Sequence, residues 1–423
     1  MCSRKLKFAV RDQIEMQLES LDQLLPPEHR VRELWDYVEL MDISCLLKNI
    51  TTTQGRAGAP AFDPRTLICL WLYATTDGVG SARKLSRLCR EHLVYRWICG
   101  GEPVNYHTLA SFRSECGKLL EDLLVGTLAV LHDEGFLDLK KLSVSHDGMR
   151  VRASAGRDSM HRRNKVESSL EQAKAYYEQL LCAAEEEASE TVNKRKRSAR
   201  LRAARERLER LEQSLKTMEK LEKSQRRRSD RKQTEPRVST TDPEAVMTRM
   251  ANGGTDVAHN IQFTVENQTR VVTSVHITES SSDTGTLFNA MREHQKLNGS
   301  LPDQVLADQG FFKYQDIAEL ERAGTQVFLP DRFPDVKSRK FCAADRPLIA
   351  QWRARIATPA GKQLYKARGS TVEWVNACAR NQGLHQLPVR GRTKVKIIAL
   401  WHALTHNIRR LFALRRELAE ELV

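Results

Sequence analysis

The sequence predicts an α/β fold that carries a long inserted helical hairpin and is preceded by an all-helical domain. Three observations predict it. Between residues 142 and 329, short apolar stretches of period two alternate with stretches of helical period, the signature of an α/β layer. From about 160 to 235 Gly and Pro nearly vanish, charge dominates, and apolar residues fall at the three-four spacing of a helical seam. Residues 1 to about 135 carry helical periodicity and helix-start signals. The expected divisions are a helical domain over 1–135, an α/β domain beginning at 136–160 and resuming over 241–423, and the insertion at 161–240.

In chain order, Asp63-Pro64-Arg65 opens a helix through Leu67, Leu70, Trp71 and Ala74, with Pro in the first turn. The turn Asp77 to Gly80 leads to Ser81, an expected N-cap for a helix through Leu85 and Cys89. A short helix follows Asn105, through Leu109 and Phe112. Helix, Gly turn, helix is shared by DNA-reading helix-turn-helix motifs and by hairpins that only pack a core, and both readings stand. Residues 142–153 alternate around Asp147, which suggests strand with a turn at Asp147-Gly148.

In the charged insertion, Leu170, Ala173, Tyr177, Leu180 and Ala184 form one apolar run, and Leu201, Ala204, Leu208, Leu211, Leu215 and Met218 another. A polar break at 190–197 separates them, so an antiparallel hairpin is the simplest reading; a continuous helix that dimerises is the competitor. Its outer charges, Arg207 and Arg210 among them, are read mostly as solvation of an exposed helix. Strands are then expected at 260–266 and 270–278, with a turn at Asn267-Gln268. A helix at 284–296, a strand at 304–307 ending on Asp308, a helix at 314–323 and a strand at 326–329 follow. Helices at 366–382 and 393–422 close the chain.

Composition limits the function classes. The 423 residues are too many for one ordinary core, and 40% hydrophobic content excludes a disordered chain. A formal charge of +14 favours a polyanionic partner, because each neutralised phosphate releases condensed counterions. The nine cysteines include no CxxC pair and are odd in number, against both a zinc ribbon and a disulfide scaffold. No signal peptide or membrane span is evident, so a soluble, cytoplasmic protein without a membrane partner is expected.

Three acids stand out. Asp308 ends a strand and precedes Gln309-Gly310, the position where open α/β sheets bind ligands, although a turn or N-cap aspartate looks the same. Asp147 holds a comparable place on another strand, where a β-turn Asp-Gly is the plain alternative. Glu373 shares a helical face with Arg380, a common surface pattern. Mg²⁺ and Mn²⁺ want hard oxygen ligands, so carboxylates at rigid strand ends can hold two ions about 3.5–4 Å apart for in-line phosphoryl displacement. His146, Trp374 and the polar group His259, Asn260 and Gln262 have packing or turn roles as their simpler readings, and His402 and His406 read as ordinary helix residues.

Several blocks in order carry a family resemblance. The stretch 61–113, from AFDPRTLICLW to TLASFR, resembles the helical N-terminal domain of one large branch of the DDE transposases of bacterial insertion sequences. VSHDGMRVRASAG (144–156) resembles that branch's first catalytic Asp motif and VLADQGFF (305–312) its second. YKARGSTVEWVNACAR (365–380) resembles the Tyr-Arg-Glu-Lys signature, and 390–411 the closing helix. The resemblance implies an RNase H-like mixed sheet with flanking helices, and Asp147, Asp308 and Glu373 as catalytic metal ligands. It also implies two Mg²⁺ ions replaceable by Mn²⁺, and double-stranded DNA as partner, both terminal inverted repeats and target. Tyr365, Arg368, Arg380 and Lys394 are its expected phosphate contacts, and a homodimer or larger assembly its expected synaptic form. Two features depart from the signature: Arg380 stands where Lys is usual, and the stretch from Arg368 to Glu373 is one residue longer. A transposase-derived regulator without catalysis, and a nuclease of the same fold without strand transfer, are the alternatives.

Overall fold

The computed structural model describes residues 18–48, 50, 60–186, 194–226, 235–333 and 343–421. The N-terminal part is helical: α1 (Arg30–Glu39), α2 (Ser44–Leu47), α3 (Pro64–Thr76), α4 (Ala82–Glu91), α5 (Leu93–Ile98), α6 (Tyr106–Glu115) and α7 (Gly117–Asp133). The expected start signals act as caps. Asp63 accepts from the Arg65 N–H, Ser81 from Lys84, and Asn105 from Thr108, each satisfying a donor that the helix leaves unpaired.

A long strand β1 (Ser143–Arg152) follows, then a short β2 (Met160–His161), α8 (Arg163–Glu186), α9 (Lys194–Arg226) and β3 (Val238–Ser239), which pairs with β2. Next come β4 (Val246–Arg249), β5 (Thr255–Glu266), β6 (Val272–Thr278), α10 (Leu287–Asn298) and β7 (Gln304–Ala307). The chain ends with α11 (Tyr314–Arg322), β8 (Gln326–Phe328), α12 (Arg346–Ala357), α13 (Pro359–Asn381) and α14 (Arg392–Glu421).

The main sheet is mixed. β1 lies between β5, to which it is antiparallel, and β7, to which it is parallel; β8 continues the parallel edge. Antiparallel β4 and β6 both pair with the other side of β5, at different ends. The insertion is a helical hairpin, as its apolar spacing predicts. Leu170 and Ala173 pack on Leu211, with Leu208 and Leu215 alongside, while Val166 and Met218 pack with Val238. These two clusters are separate from the main core. Of the break expected at 190–197, residues 194–197 belong to α9, and 187–193 lie outside the described residues.

One expectation is overturned. Asp147-Gly148 is no turn: both residues lie inside β1, paired with Phe263 and Gln262 of β5. Glycine is needed there for space, not for turning. A Cβ on Gly148 would stand 2.7 Å from Asp283 Oδ1 and 2.8 Å from Asn260 Oδ1. His259, Asn260 and Gln262, at the head of the strand expected from 260 and with a turn as the alternative reading, are buried within β5, which begins earlier, at Thr255.

Helix α14 is buried almost all round from Val395 to Ile408 and packs on α7, α3, α6 and β6, joining the N-terminal helices to the sheet in one continuous core. Trp401 is 1% exposed, and its indole N–H reaches the Arg113 carbonyl. Asn407 closes the open edge of β6, accepting from the Val272 N–H at 2.7 Å and donating to its carbonyl at 2.8 Å. A buried strand edge without such partners costs free energy. The Asn407→Leu variant should therefore lose about 2–4 kcal/mol of stability, by stranding two buried backbone groups; urea unfolding against the parent checks it.

Candidate functional site

Register builds the site. Parallel pairing sets His146 opposite Ala307, so the next residues, Asp147 within β1 and Asp308 just past the end of β7, stand at corresponding positions on neighbouring strands. Side chains alternate across a sheet. Asp147 therefore shares its face with Phe263, while His146 points to the other face, against Thr264 and Gln262. Asp308 also accepts from the Gly310 N–H at 2.8 Å, so it is a turn aspartate and a strand-end carboxylate at once.

Helix α13 covers that face. Thr358 caps it by accepting from the Gly361 N–H, and Pro359 sits in its first turn. Gly361 leaves room for the Arg355 carbonyl, which any Cβ there would strike. Val372, Val375 and Ala379 bury toward the core. On the same helix Asn376 donates to Asp147 Oδ2 at 3.1 Å, and its own Oδ1 is buried without a partner. Local patterning does not single out Asn376. Its position three residues after Glu373, next to the buried Val375, is the only trace it leaves in the sequence.

The electrostatics follow from this crowding. Burial, first, and the neighbouring Asp308, second, push the Asp147 carboxyl up to about 6; the Gly148 N–H and Arg368 pull the other way. Arg368 donates to Glu373 at 2.9 Å, and its Nη1 is buried without a partner. Burial raises the Tyr365 hydroxyl pKa, with Arg368 opposing the shift and Asp308 and Glu373 adding to it. The guanidinium carbon of Arg368 lies 6.0 Å from the Tyr365 ring centroid. Asp147, Asp308, Tyr365 and Arg368 thus lie within electrostatic reach of one another.

Other expected residues stand apart. The Glu373 side chain is 56% exposed and turned to Arg368, not to Arg380. Arg380 and Lys394 are exposed and make no contact with the acids among the described residues. Also among the described residues, no three His, Cys, Asp or Glu side chains converge as a metal ligand set. Trp374 is half-exposed, edge-on to His406 at 5.3 Å with the Arg270 guanidinium 5.5 Å from its ring. His402 and His406 are pushed down to about 4 by burial and so are neutral packing residues at pH 7.

Behind β1, on the opposite face, Asp283 organises a buried polar network that sequence reading missed. Arg150 donates to its Oδ2 at 2.6 Å, and Asn260 and Gln262 to its Oδ1 at 2.7 and 2.8 Å. Burial pushes the His146 ring down to about 3, which leaves it neutral beside Gln262 and Thr264. A serine-rich loop holding Asp283 gives no periodic signal, so only the fold brings these groups together.

The raised Asp147 value has a consequence for stability. Its folded pKa lies above the unfolded one, so the protonated carboxyl stabilises the fold below about pH 4, and this is lost as pH rises through about 6. The metal-free Asp147→Asn protein should be more stable than the parent by about 2–3 kcal/mol at pH 7.5, with the advantage shrinking toward zero near pH 4; denaturant unfolding at both pH values measures it.

Family comparison agrees with the motifs. Residues 19–115 match a transposase domain (DUF772), which spans α1 to α6, and residues 338–412 match a transposase DDE domain, which spans α12, α13 and most of α14. Asp147 and Asp308 fall between the two matched spans, whereas Tyr365, Arg368, Glu373, Arg380 and Lys394 fall within the second. No curated protein and no solved structure matches the chain. Together, the two family matches support a DDE transposase of an insertion sequence, with DNA the partner that transposase domains imply.

Proposed function

We propose that this chain is a metal-dependent transposase that hydrolyses a phosphodiester at the end of its element and then joins the freed 3′-hydroxyl to target DNA. The observation that carries the reading is the pair Asp147 and Asp308, set side by side by the β1–β7 register with mutually unfavourable charge. The strand order, with β5 and β6 antiparallel on one side of β1 and β7 and β8 parallel on the other, supports an RNase H-like sheet.

The donor set fits a hard divalent cation such as Mg²⁺ or Mn²⁺. An Asp147 carboxyl whose proton affinity is raised by burial and by the neighbouring Asp308 charge is relieved by a dication, and one or two carboxylates per ion suffice when phosphate supplies further oxygens. Asp147 and Asp308 would hold it, with Glu373 completing the set once released from Arg368. When bound, such ions supply Lewis-acid stabilisation of the charge on the reacting phosphate. The chain's own groups orient the reaction. Asn376 fixes the rotamer of Asp147 from α13, and the spare Arg368 Nη1 gives a strong donor for a phosphate oxygen. Arg380 and Lys394 extend the positive surface for the DNA backbone.

One observation favours a second reading. Glu373 is occupied by Arg368, and no third acid joins the pair among the described residues, as suits a transposase-derived protein that binds DNA without cutting it. Cleavage separates the two. Using the duplex that flanks the coding gene, Asp308→Ala should lower Mg²⁺-dependent cleavage by several kcal/mol, roughly a thousandfold in rate. Retained cleavage would sink the assignment, and metal-independent binding without cleavage by the parent would favour the second reading. Pre-cut ends with a plasmid target then distinguish a transposase, which joins strands, from a nuclease, which does not. Because a proton competes for Asp147, Mg²⁺ affinity measured by calorimetry should fall about tenfold per pH unit below about pH 6.

A further inference from the structure

The helical hairpin carries a charge pattern that its own fold does not neutralise. α9 contains thirteen Lys and Arg against five Glu, whereas α8 contains three against five, so the excess lies on one helix. On α9, Lys196, Arg200, Arg207 and Arg210 recur at intervals of four, seven and three residues, which aligns them in one stripe beside the apolar seam. The first three are exposed, and none of the four makes an ion pair among the described residues. The nearest acids do not compensate the whole stripe: Glu206 lies one turn before Arg210 and acts on that residue without an ion pair, and Glu209 is taken by Arg205 at 2.9 Å.

The base of the hairpin makes the contrast plain. There Arg163 is bonded to Glu167 and Glu222, Arg162 to Glu235, and Arg392 to Glu244 and Glu279. The stripe instead ends beside another cation. Arg390, in the loop before α14, donates to the Ser154 carbonyl and lies close enough to Arg210 to oppose its charge, in addition to the larger effect of burial. Charges that only solvate a helix alternate in sign and cancel in pairs. Like charges aligned and left unpaired fit an external polyanion.

Duplex DNA suits the dimensions. The stripe is about 21 Å long at 1.5 Å per residue, and a duplex carries one negative charge per roughly 1.7 Å of axis. The hairpin is spliced between β1, which carries Asp147, and β5, so the stripe is tied to the sheet that bears the acids. We infer that Lys196, Arg200, Arg207 and Arg210 of α9, continued by Arg390, form a phosphate-binding surface that holds duplex DNA flanking the site of cleavage. The inference rests on the transposase reading for the identity of its partner.

The test is a salt titration of the full-length protein on a mixed-sequence duplex of about forty base pairs. The K196Q/R200Q/R207Q variant should lower the slope of log affinity against log salt by about three, close to one for each phosphate no longer neutralised. R200K/R207K should keep the parent slope, because it keeps the charge. K216Q/K220Q/K223Q removes the same charge from another side of α9 and should leave the slope near the parent's. An unchanged slope in the first variant, or an equal fall in the third, overturns the inference. Unaltered helical circular dichroism in all three shows that folding is not the cause. Cleavage assayed in parallel keeps the two readings apart. Parent cleavage with an unchanged slope sinks only the stripe, whereas the expected slopes without parent cleavage sink only the catalytic reading.

Discussion

The arrangement of the proposed site depends on the parallel pairing of β1 with β7. That pairing sets His146 against Ala307 and leaves two aspartates, far apart in the chain, to emerge side by side. A shift of one residue in either strand would send one of them through the sheet, because side chains alternate across it. The register is protected on both sides. β5 pairs along almost the whole of β1, and Gly148 fits closely against Asp283 and Asn260, so the strand has little room to slide.

Two faces of one strand thus have different duties. Behind β1, Asp283 gathers Arg150, Asn260 and Gln262 into a buried and nearly satisfied network, the kind of arrangement that stiffens a sheet. In front, Asp147 and Asp308 keep unfavourable charge close together, with one amide from Asn376 as a direct partner of Asp147. Strain of that sort is typical of a place where a ligand is expected to supply the missing charge. α14 links this sheet to the N-terminal helices through one core, so the helices matched by the first transposase domain are packed against the element that closes β6.

The hairpin follows a different logic. Its seams are short and separate from the main core, and its surface charge is one-sided along α9. An insertion with its own small core can extend from a sheet without disturbing the register that the sheet requires, which makes it a suitable carrier for an additional binding surface.

The sequence by itself determined the elements. Periodicity located the strands at 304–307 and 326–329, the second ending one residue earlier at Phe328, and the two long helices of the hairpin, and the caps at Asp63, Ser81 and Asn105 marked helix starts, because these signals are local. The same local rules misread Asp147-Gly148 as a turn, since Asp-Gly is turn chemistry unless a distant carboxylate demands a residue without a side chain. Asn376 and Asp283 were invisible for a related reason: their partners are remote in the chain, Asp147 for the first and Arg150, Asn260 and Gln262 for the second. Only the tertiary structure decided that Asp147 and Asp308 share a face and raise the Asp147 pKa, while Glu373 turns to Arg368, because register and burial are properties of the assembled sheet.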